Sequence, residues 1–147
     1  MNCGNCKICC YVTAVPEIQK HFNTWCAHAI GSQGCRIYAM RPLSCCGFEC
    51  YWLKEGLSKD LRPDLCGVMI ESIPGYNVRV VYCDPSKPMA WQQPEFRKII
   101  ADFALSNHPV VVNVGRKGGN VIILPDGITE DQVWSELNEL NEKAMGV

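Results

Sequence analysis

The chain has 147 residues, a formal net charge of -1, 48% hydrophobic residues and 20% charged residues. That length and balance fit one soluble globular domain with a core, and no basic stripe points to nucleic acid. No apolar run reaches the roughly 20 residues that cross a bilayer. The opening MNCGNCKICC has no apolar leader segment, so the expected setting is cytoplasmic, away from a membrane.

Nine of the eleven cysteines fall in the first fifty residues, and ten in the first 66. An odd count leaves a thiol over in any all-disulfide scheme, and a reducing compartment disfavours such a scheme. Composition therefore divides the chain near Cys66. Residues 1–66 read as a cysteine-cluster metal-binding lobe and residues 67–147 as an α+β layer.

The run Cys3-x-x-Cys6-x-x-Cys9-Cys10 comes first. Gly4 can take the positive φ that a turn between Cys3 and Cys6 needs. Turn amides then point at the sulfurs. Cys9 repeats the step, and Cys10, being adjacent, is expected to point elsewhere. Residues 16–22 predict a helix with Pro16 at its first position. Residues 31–34, Gly-Ser-Gln-Gly, predict a turn that delivers Cys35. Arg41-Pro42 marks a boundary, after which residues 42–56 predict a helix ended by Gly56.

Beyond Cys66 the pattern alternates. Residues 68–73 and 78–82 predict two strands joined at 74–77. Residues 94–106 predict a helix with Phe96, Ile99, Ile100 and Phe103 on one face. Residues 110–114 and 120–124 predict a hairpin around the glycine-rich 115–119. Thr129 and Gln132 form a capping box for a last helix, with Val133, Leu137, Leu140 and Ala144 facing the core. The expected fold is α+β. In it a cysteine-rich lobe of short helices and turns packs on a small, mainly antiparallel sheet with two helices. The layer can bury its own apolar surface; the lobe needs a metal to hold it.

Zinc and iron both bind thiolate sulfur, about four ligands per centre. Eight or nine thiols supply two four-coordinate sites, or one cluster and one ion. Four thiolates around a divalent cation leave a charge near minus two. Lys7, Arg36 and Arg41 can offset it, or can be ordinary surface charges.

The full spaced set is more specific than its first pair. It comprises Cys3-x2-Cys6-x2-Cys9-Cys10, Trp25-Cys26, Gly34-Cys35-Arg36-Ile37-Tyr38, Arg41-Pro42-x-x-Cys45 and Phe48-x-Cys50. It resembles the CxxCxxCC zinc- or iron-chelating domain, the YkgJ-like family, over residues 3–52. The later strands resemble longer bacterial members more weakly. The resemblance implies Cys3, Cys6, Cys9, Cys10, Cys26, Cys35, Cys45 and Cys50 as ligands. It implies no activity, since the family is named for presumed chelation. Members usually carry arginine after the Arg-Pro-x-x-Cys cysteine, where this chain has Cys46. If residues 42–56 are helical, Cys46 and Cys50 share a face and Cys45 points about 100° away. The resemblance favours Cys45 and helix geometry favours Cys46; the ligand set here takes Cys45.

Cx2Cx2C also presents three ligands to an iron–sulfur cubane, but the Cys-Pro that follows in bacterial ferredoxins is missing. Zinc is therefore expected as cofactor, with an iron–sulfur cluster as the alternative. Other residues have plainer readings. His28, near Cys26, reads as a polar side chain before a ligand, His21 as a charge after a helix, and His108 as a loop residue. Cys83 and Cys66 read as small buried apolar residues. The glycine-rich 115–119 lacks phosphate-loop spacing. Trp25, Trp52, Trp91 and Trp134 read as core or half-buried, and Glu49 as solvated. No catalytic signature emerges. The sequence supports a metal-binding protein with an unidentified protein or small-molecule partner. Electron transfer or a modification reaction at an iron–sulfur centre, and metal delivery, stand as alternatives.

Overall fold

Prolines and glycines interrupt most helical runs in the first half of the chain, and its elements are short. In a computed structural model, which describes residues 3–31, 34–115 and 119–146, the chain divides into two compact units, Met1–Met69 and Ile70–Val147. Composition had placed the division at Cys66. The fold is α+β. Among the described residues no helix is long and apolar enough to cross a membrane.

The first unit holds α1 (Ile8–Val12), the short antiparallel pair β1 (Ala29–Ile30) and β2 (Gly34–Cys35), α2 (Leu43–Cys46), α3 (Tyr51–Glu55) and α4 (Pro63–Cys66). The β1–β2 pair is unexpected; part of its connecting turn, residues 32 and 33, lies outside the described residues. The expected helix over 16–22 is a single 3-10 turn, Pro16–Ile18, with Pro16 at its start. Gln19 stops it by turning left-handed (φ 53°), and Lys20 then bridges back to Val15. The expected helix over 42–56 splits in two. Gly47 closes α2 by donating its N–H to the Leu43 carbonyl (3.0 Å), and Cys50 is extended before α3 begins. Gly56 ends α3 left-handed, as anticipated. The buried residues of this unit include Val12, Val15, Trp52, Pro63, Cys66, Val68 and Met69, a modest core for its length.

The second unit is built on a four-stranded sheet in the order β3 (Val68–Ser72), β4 (Arg79–Cys83), β5 (Val110–Asn113), β6 (Asn120–Ile123). It is mixed. β5 and β6 are antiparallel, as a hairpin requires, with Val111 opposite Ile122. β4 and β5 are parallel, with Val80 opposite Val111, because α5 (Pro94–Leu105) carries the chain back between them. The sheet is thus less uniformly antiparallel than the sequence pattern implied. Residues 116–118 of the glycine-rich hairpin turn lie outside the described residues.

On α5, Phe96 and Ile100 are buried and Ile99 and Phe103 half-buried, which is the anticipated stripe. α6 (Glu130–Met145) opens with the full capping box: the Gln132 N–H donates to Thr129 Oγ1, and the Thr129 N–H donates to Gln132 Oε1 (2.8 Å). Val133, Val78 and Val111 form a buried cluster against which Leu137 and Leu140 pack; the side chain of Ala144 lies outside the described set. His108 is more than a loop residue. Its Nδ1 is 2.7 Å from Asn77 Oδ1 and its Nε2 is 3.3 Å from Arg79. Arg79 in turn donates to the carbonyls of Tyr76, Asn77 and Val78, fixing the approach to β4.

Thr129→Ala removes one half of the capping box and should lower stability by about 1 kcal/mol in urea unfolding. Burial pushes the Glu71 carboxyl on β3 up, even though it accepts the Tyr82 hydroxyl (3.1 Å). A folded-state value raised above the unfolded one means that the folded chain holds the proton more tightly. Stability from this group is therefore full at low pH and falls as pH rises through the raised value. Glu71→Gln stays neutral and keeps an acceptor for Tyr82. Its melting temperature should exceed that of the parent at pH 8 by more than at pH 4; equal differences at both would contradict this account.

Candidate metal centre

The Cys3–Cys6 turn forms as expected. The Cys6 N–H donates to the Cys3 carbonyl (3.0 Å), and Gly4 takes φ 54°. A Cβ at Gly4 would also come within 3.4 Å of the Arg62 guanidinium, so the turn lies close against residue 62. Arg62 holds Asp64 through two bonds of 2.6 and 2.8 Å, and the Asp64 backbone N–H donates to Cys6 Sγ. A remote stretch of chain thus solvates the Cys6 thiol.

The same logic recurs at the other sulfurs. The Ile8 amide donates to Cys6, the His28 amide to Cys26 (3.4 Å) and the Trp52 amide to Cys50, each two residues on from its cysteine. Such amides share the negative charge of a thiolate. The pattern alone does not mark a ligand, since the Val68 amide donates to Cys66 in the same way (3.4 Å). The Cys66 thiol also reaches the Leu61 carbonyl (3.3 Å) and is buried, as is Cys83. Both fit their plain reading as packed thiols.

Backbone bonds join the segments that carry the remaining cysteines. The Cys26 N–H donates to the Cys10 carbonyl (3.0 Å) and the Thr24 N–H to the Tyr11 carbonyl (3.1 Å). The Arg36 N–H donates to the His28 carbonyl (2.8 Å), which seats Cys35 beside the 26–28 segment. Glu17, on the 3-10 turn, accepts both the N–H (3.0 Å) and the hydroxyl (2.7 Å) of Ser44, and so caps the start of α2 from a distance. Those two bonds hold its carboxyl below the usual range and bring Cys45 toward the 17–26 segment.

The thiols influence one another across the set. Cys6 feels Cys50, Cys50 feels Cys3, Cys3 feels Cys10, and Cys9 feels Cys10, Cys6 and Cys3. Cys45 feels Cys10, Cys26 and Cys35. The Cys9 and Cys10 thiols hydrogen-bond to each other. Adjacency had suggested that Cys10 would point away. In a helix their Cβ directions do differ by about 100°, but rotation about χ1 brings the sulfurs back together. Burial pushes Cys6 up to about 11 and raises Cys3, Cys45 and Cys50 as well. Cys9 is raised because its proton is held in the bond to Cys10, and Cys10 is lowered by receiving it.

The choice between Cys45 and Cys46 changes its footing. With 42–56 broken at Gly47, Cys46 and Cys50 do not share a helix face, so the geometric argument for Cys46 loses its premise. Cys46 is exposed and its thiol points to the Arg41 carbonyl (3.5 Å). Cys45 is half-buried among other thiols.

Of the suggested countercharges, Arg41 acts on Cys3 and Lys7 on Cys10. Arg41 also stacks 3.8 Å over the Tyr38 ring. Lys20, Arg62 and Asp64 were missed. Nothing in their local sequence marks them, although the buried lysine lies two positions before Phe22 in a stretch read as helix. Glu49 is exposed, as expected. Trp25 is 58% exposed against Tyr11, contrary to its core reading, while Trp52 is buried and donates to the Ser58 carbonyl (2.9 Å).

Among the described residues, no three His, Cys, Asp or Glu side chains are gathered tightly enough to hold a metal ion as they stand. As a donor set the thiols suit a soft, thiophilic cation: cysteine sulfurs, several with amides directed at them. No family model, no curated protein and no solved structure matches the chain, so the family likeness rests on cysteine spacing alone.

In the metal-free, reduced protein at pH 7, Cys10 should alkylate before Cys9, since thiolate is the reactive form. Mass spectrometry after brief iodoacetamide treatment checks the order. Equal labelling of the two would contradict the shared proton.

Proposed function

We propose that this chain is a metal-binding protein of a reducing compartment. Cys3, Cys6, Cys9, Cys10, Cys26, Cys35, Cys45 and Cys50 would hold zinc at two sites and so organise residues 1–69, leaving the protein to act by binding a partner or ligand. The support for this reading is the backbone framework that draws the cysteine segments together: the Cys26 N–H on the Cys10 carbonyl, the Arg36 N–H on the His28 carbonyl, and the Glu17–Ser44 tie beside Cys45. A bound ion supplies the positive charge that lets four thiols stay deprotonated together. The family likeness over residues 3–52 points the same way. The chain's own residues contribute the turn amides at Cys6, Cys26 and Cys50, the Glu17–Ser44 tie, and the Arg62–Asp64 pair that directs an amide at Cys6.

Anaerobic purification followed by elemental analysis and a visible spectrum of the same sample tests the reading. About two zinc ions per chain and a colourless solution are expected. A brown sample with iron and sulfide would replace zinc by the iron–sulfur alternative, and absence of any thiophilic metal would end the proposal. Fast loss of zinc to a chelator with the fold intact would favour metal delivery over a structural role. Because burial raises Cys6 to about 11, ion binding must displace its proton, so zinc affinity should rise with pH between 6 and 8. Cys6→Ser should lose about one ion per chain and melt at a lower temperature than the parent.

A further inference from the structure

We infer that Lys20 is the built-in counter-ion of the thiols of Cys10 and Cys26, and clamps together the segments that carry them. This rests on the metal reading above and names how one of its two sites is tuned. Lys20 is the one buried charged side chain among the described residues, 8% exposed. Its Nζ donates to the carbonyls of Tyr11 (3.1 Å), His21 (3.2 Å) and Thr13. Three acceptors around one nitrogen require three N–H donors, and only the charged ammonium has three. An arginine fork, flat and wider, would not match three carbonyls converging on one point.

The backbone is bent to deliver this side chain. Pro16–Ile18 turns the chain, Gln19 adopts φ 53°, a costly conformation for a residue with a Cβ, and Lys20 pairs with Val15 through bonds of 2.9 and 3.1 Å. Of residues 16–20, Lys20 alone is buried. The ammonium lands on a ladder that already joins the cysteine segments. The Tyr11 carbonyl that it grips also accepts Thr24, and the carbonyl of Cys10 accepts Cys26. Burial acts against its charge, while Cys26, Cys10, Cys9 and Cys45 draw the charge back.

Four thiolates and one divalent cation carry a net charge of about minus two. A fixed ammonium halves that where Cys10 and Cys26 lie. Lys20 is therefore a positioning residue whose charge, and not its bulk, sets affinity at the site that takes Cys10 and Cys26.

The test uses zinc alone, added under anaerobic conditions to the reduced parent, Lys20→Gln and Lys20→Arg in competition with a chromogenic chelator that resolves two binding steps. Lys20→Gln retains hydrogen-bond donors without charge and should weaken one step by about 10- to 100-fold while leaving the other unchanged. Lys20→Arg keeps the charge without matching all three carbonyls and should recover part of the loss. Parent-like affinity of Lys20→Gln at both steps overturns the inference. So does equal weakening of both steps, or a Lys20→Arg no better than Lys20→Gln, since either marks a packing role. A parent that binds no zinc refutes the metal reading itself, whereas an unaffected Lys20→Gln beside a zinc-binding parent refutes only the role of Lys20. Should Lys20→Gln fail to fold, NMR of the parent decides. The Lys20 ammonium should give an exchange-protected signal that shifts with one zinc equivalent and not the other. A signal that is absent or indifferent to zinc overturns the inference.

Discussion

Sulfur charge is the constraint on which the first half of this protein turns. Neighbouring thiols repel one another once ionised. Burial first, and nearby thiols second, favour the protonated form at Cys3, Cys6, Cys45 and Cys50. The hydrogen bond between Cys9 and Cys10 raises the first and lowers the second. Amides, guanidinium groups and the buried ammonium of Lys20 all face the same problem from outside. The local structure of residues 3–69 is intelligible as a set of answers to it: tight turns that point N–H groups at sulfur, and distant residues drawn in to supply charge.

The second half answers a different and more familiar demand. Its valine-rich strands and two amphipathic helices bury their own apolar faces, and His108, Arg79 and Glu136 satisfy the exposed backbone around residues 76–79. Periodicity alone was enough to find these elements. The helix at Pro94–Leu105, the helix at Glu130–Met145 and its Thr129–Gln132 box were all legible, because each is long or capped by a local rule. The parallel sense of β4 and β5 was harder to read. It depends on what lies between the strands and not on the strands themselves.

Much less of the candidate site was legible. The cysteine spacing was visible at once, and so was the Gly4 turn. The split of 42–56 was not, since Gly47 alone does not announce a break and the extended Cys50 is set by its surroundings. Lys20 could not be found from spacing, because its partners are backbone carbonyls and carbonyls leave no sequence signature. Arg62 and Asp64 lie some sixty positions from the turn they support, beyond the reach of any local pattern. In each case the missing information was tertiary: which distant group meets which sulfur.

The parallel pairing of β4 with β5 also sets a timetable. Arg79 stands opposite Val110, so that ladder cannot begin until α5 has returned the chain, whereas β5 and β6 are joined through a short turn. A hairpin closes in roughly 1–10 μs, while non-local and parallel pairings form late. The β5–β6 ribbon is then the template, and β4 the strand that must find it. A nascent chain released from the ribosome before residue 110 would leave the β5-facing edge of β4, along Val80, Val81 and Tyr82, open to the wrong neighbour until its own arrives.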